Sequence, residues 1–137
     1  MALFGLFGGK RKGYATPWMQ LTVVYATAPE GLQPDDAFAL RGKILTAHTI
    51  YFEFLDHCAF LACYPGTAAG LEAGSRLAGE LRGIADEKSV PSFGVGVYQG
   101  ECLAQMNAAG RLAGKPAGLA ISQAIELASR EATARAQ

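Results

Sequence analysis

Asp56, His57 and Cys58 place an acid, a base and a thiol in succession. These residue types support nucleophilic catalysis when their side chains converge on one point. Successive residues of a strand face opposite ways, so these three converge only if a turn folds them together. The sequence offers no further motif for a Ser/His/Asp or Cys/His triad. We favour a polar hairpin turn that precedes a buried cysteine, and we keep an enzyme built on these three residues as a hypothesis.

A second candidate site is the glycine pattern formed by Gly94, Gly96 and Gly100. A dinucleotide-binding loop needs GxGxxG between a strand and a helix, and here the spacing is one residue too long. Glycines inside a strand more often permit a close backbone approach or a bulge. The structural interpretation is therefore favoured. The alternative is a phosphate site in which these glycines, the segment Gly110–Gly118 and Lys115 supply backbone N–H groups and a charge.

Bulk composition excludes several classes of protein. The chain has 137 residues, of which half are apolar and 18% charged, with a formal net charge of zero, as expected of one globular domain. Only Lys10, Arg11 and Lys12 cluster, so no nucleic-acid partner is predicted. The three cysteines lack a metal-ligand spacing, which indicates buried, reduced thiols in a cytoplasmic protein without metal or cofactor. No apolar run reaches the roughly 20 residues that span a bilayer.

The first residues form a separate segment. The basic triplet follows four apolar residues, Leu3, Phe4, Leu6 and Phe7, which is the chemistry of an interfacial anchor or a docking peptide. The glycines among them oppose a helix. We therefore predict that residues 1–16 form a flexible arm, free or folded onto its own domain, and we disfavour membrane contact by residues 1–12.

Residues 17–137 are predicted to form a single domain. The predicted strands are Met19–Ala26, Thr49–Leu55, Cys58–Tyr64 and Phe93–Tyr98, with a possible fifth at Cys102–Asn107 after a turn at Gln99–Glu101. The predicted helices run from Pro34 to about Leu45, from Thr67 to about Asp86 and from Leu119 to about Ala134. The order β-α-β-β-α-β-(β)-α predicts an α+β fold with a ferredoxin-like antiparallel sheet and helices packed on one face.

Three stretches resemble the class III adenylate/guanylate cyclase catalytic domain. The segment Leu21–Thr27 looks like the first strand of that family, Phe54–Ala62 resembles its second hairpin, and Gly94–Glu101 with Gly118–Ala124 resembles its GIHTGE strand and GDAVNLAAR helix start. The resemblance covers about Leu21 to Ala132.

The resemblance implies the fold of this family without its metal-binding and transition-state residues. Thr27 stands where the family has its first metal aspartate, and a neutral hydroxyl is a poor anchor for Mg²⁺. Asp56 or His57 could occupy the second metal position. Glu53 falls at the position of the base-reading lysine. The family's transition-state asparagine and arginine are matched by Ser122 and Glu126, and a carboxylate there would repel phosphate.

The sequence leads to two main functional hypotheses. The first is a degenerate, non-catalytic cyclase-like module, with no catalytic residue of its own, that acts in bacterial signalling through homodimerisation or a protein partner. The alternative is a sensor of a nucleotide or another small ligand. Its binding residues would be drawn from Gly94, Gly96, Gly100, Lys115, Thr27, Asp56 and Ser122.

Overall fold

The structure is a computed structural model that describes residues 18–28, 41–42, 48–56, 59–90 and 92–136. Its strands are β1 (Trp18–Thr27), β2 (Tyr51–Asp56), β3 (Ala59–Pro65) and β4 (Gly94–Leu103). Its helices are α1 (Ala68–Glu87) and α2 (Leu119–Ala136). The strands form one antiparallel sheet in the order β2-β3-β1-β4. The α+β class and the antiparallel sheet predicted from sequence are thus confirmed.

Several predictions fall outside the described residues. Of the helix predicted from Pro34 to about Leu45, only Arg41 and Gly42 are described, and both are helical. The predicted arm, residues 1–16, is not described, and neither are His57 and Cys58.

The predicted fifth strand is wrong. β4 continues without a turn through Gln99, Gly100 and Glu101, because these residues pair with Thr22, Leu21 and Gln20 along the equally long β1. From Leu103 onward the described residues make only two isolated bridges, Leu103 to Ala117 and Met106 to Leu112. The residues after β4 therefore form a folded-back loop.

The two described helices lie on opposite faces of the sheet, whereas the sequence predicted helices on one face. Directly paired residues of neighbouring strands share a face, and successive residues alternate. A Cβ on Gly74 of α1 would touch Thr22 and Val24, while a Cβ on Gly96 would touch Ala124 of α2. Because Gly96 pairs with Tyr25, it lies on the face opposite Val24. The sheet has apolar residues on both faces, and each helix covers one of them.

Each face has its own apolar core. Beneath α1 the core contains Val24, Phe60, Ala62, Leu77, Leu81 and Val95. Beneath α2 it contains Leu21, Val23, Leu61, Cys63, Ala120 and Ala124. The α1 helix begins where expected, since the hydroxyl of Thr67 accepts the amide of Gly70 at 3.0 Å and caps the first turn. No helix among the described residues is long and apolar enough to cross a membrane.

Candidate functional site

Thr27 and Asp56 lie in one row across the end of the sheet. Thr27 pairs with Ala59 of β3 on one side and with Gly94 of β4 on the other. Asp56 pairs with Ala59 from the far side, after a register shift between Phe54 and Asp56. The two residues are thus separated by one strand, which places their backbones about 10 Å apart. The pairing brings together two of the residues that the sequence analysis singled out.

A cleft lined by hydroxyl groups opens beside Thr27. Its volume is about 310 Å³, and its walls are Thr27, Ser92, Ser129, Ala132, Thr133 and Ala136. The Thr133 hydroxyl donates to the Ser129 carbonyl at 3.0 Å. None of these side chains is charged, so the cleft can exchange hydrogen bonds with a polar group but cannot neutralise a divalent cation or a triphosphate.

Ser122 lies away from this cleft. Ala120 is beside Gly100, whereas Ala132 is beside Gly94 and lines the cleft, so α2 runs from the far end of β4 toward Thr27. At 1.5 Å per residue, Ser122 is about 15 Å along the helix from Ala132. Ser122 is exposed, and its amide donates to the Gly118 carbonyl at 3.4 Å. Ser122 therefore does not share a site with Thr27 within one chain.

Glu126 takes part in a local ion pair on the surface of α2. Its Oε2 lies 2.9 Å from Nη2 of Arg130, one turn further along the helix, and both side chains are largely exposed. The position that the resemblance assigns to a transition-state arginine thus presents a carboxylate to solvent, and its charge is balanced by Arg130.

The strand glycines are packing positions beneath α2. A Cβ on Gly94 would come within 2.1 Å of the Ala128 carbonyl oxygen, and one on Gly96 within 2.2 Å of the Ala124 carbonyl oxygen. The helix fills the space above them that a phosphate would need. Gly100 is less confined, since a Cβ at this position would lie 3.0 Å from the Tyr98 ring and would meet no backbone atom of α2 as closely. This arrangement agrees with the structural interpretation of the glycine pattern.

Lys115 is held near a carboxylate. Its Nζ lies 4.0 Å from Oε1 of Glu53, which also accepts a hydrogen bond of 2.7 Å from the Tyr51 hydroxyl. Burial is the largest cause that raises the pKa of Tyr51, and the neighbouring Glu53 raises it further. The phenol therefore stays neutral and acts as a hydrogen-bond donor. The negative charge of Glu53 therefore offsets the positive charge with which Lys115 would attract a phosphate.

Several backbone amides of the loop around Gly110 already donate hydrogen bonds within the chain. The Asn107 side-chain oxygen accepts the amides of Ala109 at 2.9 Å and Arg111 at 3.1 Å, and Gly110 closes the turn with φ of 81°. Leu112 donates its amide to the Ile50 carbonyl at 3.0 Å. Few backbone N–H groups remain in this loop to receive an anion.

Two of the three cysteines are described, and both are free and buried. Burial is the main cause that raises the pKa of Cys63 to about 12, and burial also raises the pKa of Cys102. Both thiols are protonated at neutral pH and have no access to solvent, so neither is a nucleophile. Among the residues that the structure describes, no three His, Cys, Asp or Glu side chains are grouped closely enough to hold a metal ion.

The charged contacts at the outer edge of β4 were not predicted from the sequence. Arg82 of α1 forms two hydrogen bonds with Glu131 of α2, each 2.9 Å long. Nη2 of Arg135 in α2 contacts Oδ1 of Asp86 in α1. A cleft of about 330 Å³ lies beside this edge, between the two helices. In each pair the residues are 49 positions apart, so no local pattern signals them.

Comparison with known proteins gives structural matches only. No family model matches the sequence, and no curated protein matches it. Two structures of bacterial light-regulated adenylyl cyclases align with TM-scores of 0.52 and 0.51, at 13% and 14% identity over 85% and 86% of this chain. The guanylyl cyclase Cya2 aligns with a TM-score of 0.50, at 13% identity over 82% of this chain and 71% of its own. The chain spans only 41% and 42% of the light-regulated cyclases. At these identities the likeness concerns the fold, and the chain has a cyclase-like α+β fold.

Proposed function

We propose that this chain is a non-catalytic, degenerate cyclase-like module that acts in the cytoplasm through homodimerisation or protein binding, as part of a bacterial signalling assembly. The main support is the side chain at the end of β1. Thr27 occupies the position where the resemblance places the first metal-holding aspartate, in the same row as Asp56. A site with a single carboxylate does not provide the charge that a phosphate-bound cation needs.

The charges elsewhere support the same proposal. Where the resemblance expects a base-reading lysine, the chain has Glu53, which is paired with Tyr51 and lies near Lys115. Where it expects an arginine to stabilise the transition state, the chain has Glu126. A carboxylate at the arginine position would repel a triphosphate and raise the barrier to its reaction.

Exposed apolar side chains favour a binding role. Trp18 is 50% exposed and Leu103, its neighbour across the β1–β4 ladder, is 43% exposed. Leu119 at the start of α2 is 67% exposed. Exposed apolar patches on a small domain are typical of protein interfaces.

The proposal is tested by incubating the purified chain with ATP or GTP and Mn²⁺ and measuring cyclic nucleotide and pyrophosphate. We expect neither product above the level of an Asp56→Ala variant, which serves as a matched control for contaminating activity. Product formed by the natural chain and lost in the Asp56→Ala variant would overturn the proposal.

A further inference from the structure

Helix α1 covers only part of its face of the sheet. The Gln99 side chain donates to the Thr67 carbonyl at 2.8 Å, so α1 begins level with Gln99. Further along the helix, Nη2 of Arg82 donates to the Val95 carbonyl at 3.3 Å. The helix therefore runs from Gln99 toward Val95, away from the end of β4 at Leu103.

Beyond the start of α1, the same face of the sheet carries exposed apolar side chains. Trp18 and Leu103 pair across the β1–β4 ladder and are 50% and 43% exposed. Leu103 also exchanges two backbone bonds with Ala117, which is exposed as well. Paired residues share a face, and Trp18 shares the face of Val24 beneath α1 because an even number of residues separates them. Trp18, Leu103 and Ala117 thus form an apolar shelf about 10 Å wide.

The row next to this shelf carries a carboxylate. Gln20 and Glu101 pair across β1 and β4, two residues along from Trp18 and Leu103, and both are exposed. None of the ion pairs among the described residues involves Glu101. The shelf is therefore an apolar surface with a negative charge at one side.

The chain itself contains a segment of complementary chemistry, and that segment is attached at the shelf. Residues 1–17 lead directly into Trp18. They include the apolar residues Leu3, Phe4, Leu6 and Phe7 and the basic residues 10–12. Residues 13–17 connect the basic triplet to Trp18, and a chain spans up to about 3.4 Å per residue, so residues 3–7 are within reach. A short flexible connection gives an attached segment an effective concentration on the order of millimolar.

We propose that residues 3–7 fold back and bind the shelf in the same chain, with their apolar side chains over Trp18 and Leu103 and with residues 10–12 near Glu101. Burial of apolar surface is the main stabilising contribution, and the exposed opposite charges add less. Gly13 permits the reversal of direction, because glycine adopts positive φ without steric cost. This docking does not depend on the proposed function, but a protein partner that binds at Trp18 would have to displace the segment.

Trp18 is the only tryptophan in the sequence, so tryptophan fluorescence reports directly on the shelf. The experiment compares the natural chain with a Phe4→Ser/Phe7→Ser double variant by emission wavelength and by acrylamide quenching. We expect a red-shifted emission and stronger quenching in the double variant, because water and acrylamide then reach Trp18. Phe4→Leu/Phe7→Leu is the matched control, which keeps the apolar surface and should behave like the natural chain.

Limited digestion with trypsin tests the contact from the side of the shelf. Cleavage at residues 10–12, identified by mass spectrometry, should be several-fold faster in Leu103→Ser than in the natural chain, because the weakened shelf releases the segment. Ile125→Ser is the control, since Ile125 is 36% exposed on α2, on the opposite face of the sheet. It should leave the cleavage rate unchanged. Circular dichroism verifies that both variants are folded.

Three results would overturn the inference. Equal emission and quenching in the natural chain and the Phe4→Ser/Phe7→Ser variant would show that residues 3–7 do not cover Trp18. A difference that appears only at high protein concentration would place the segment on a second copy, because a contact within one chain does not depend on concentration. A difference that appears only with vesicles of phosphatidylcholine and phosphatidylserine would assign the segment to a lipid surface. The nucleotide assay tests the proposed function separately from all three.

Discussion

Arg82 and Glu131, which belong to helices on opposite faces of the sheet, form a bidentate ion pair around the outer edge of β4. Nε and Nη2 of Arg82 each lie 2.9 Å from a carboxylate oxygen of Glu131. The hydrogen bond with Glu131, which is the largest effect, raises the pKa of the Arg82 guanidinium, while partial burial opposes it. The pair therefore links the two helices across the outer edge of β4.

We expect Arg82→Ala to lower the free energy of unfolding by about 1 kcal/mol, because it removes a two-bond ion pair and a bond to the Val95 carbonyl. The matched control is Arg76→Ala, which removes only an exposed pair with Glu72 within α1. Its expected cost is about 0.3 kcal/mol. Urea unfolding of both variants measures the difference, and equal costs would show that the edge pair contributes no more than an ordinary surface pair.

Gly96→Ala should destabilise the fold by about 2 kcal/mol, since its methyl group would lie 2.2 Å from the backbone oxygen of Ala124 and would push α2 away from β4. Gly79→Ala is the control on α1, where a Cβ meets nothing within 4 Å. That substitution should raise the free energy of unfolding by about 0.5 to 1 kcal/mol through helix propensity. Chemical denaturation of the two variants should give changes of opposite sign. An unchanged free energy of unfolding for Gly96→Ala would mean that α2 is not packed closely on the strand.

Stability should fall with rising pH above about 9 because of Cys63. Burial raises the pKa of its thiol from 9.0 to about 12. Between these values the folded chain keeps the proton and the unfolded chain loses it, so the contribution is fully present below pH 9 and is lost toward pH 12. The slope is up to about 1.4 kcal/mol per pH unit. Denaturant unfolding from pH 8 to 11 should show a shallower decline for Cys63→Ala, and parallel curves would refute the assignment.

ATP and GTP at millimolar concentration, with or without Mg²⁺, should leave the melting temperature unchanged. The face of Gly94 and Gly96 is covered by α2, and Glu53 opposes Lys115. A ligand that binds only the folded chain would raise the melting temperature as its concentration exceeds Kd. An increase of several degrees that disappears in Lys115→Ala would instead support a nucleotide sensor.

Local sequence patterns determined the elements and several of their ends. Residues rich in Val, Thr and Tyr predicted β1 to within one residue at each end. Thr67 marked the start of α1 because its hydroxyl caps the first turn. The apolar runs on either side of Asp56 predicted the β2–β3 hairpin. These features depend on residues close together in the chain, so periodicity and turn chemistry were sufficient to predict them.

Only the tertiary structure decided which face α2 covers, that β4 runs through Gly100 without a turn, and that Arg82 meets Glu131. The course of β4 depends on its register with β1, and the ion pair joins residues 49 positions apart. The face that α2 covers could not be chosen in advance, because apolar residues line both faces of the sheet. The strand register brought Thr27 and Asp56 into one row. The direction of α2 along β4 placed Ser122 away from Thr27. A sequence pattern indicates which side of an element is apolar. What that side contacts depends on how the whole chain packs.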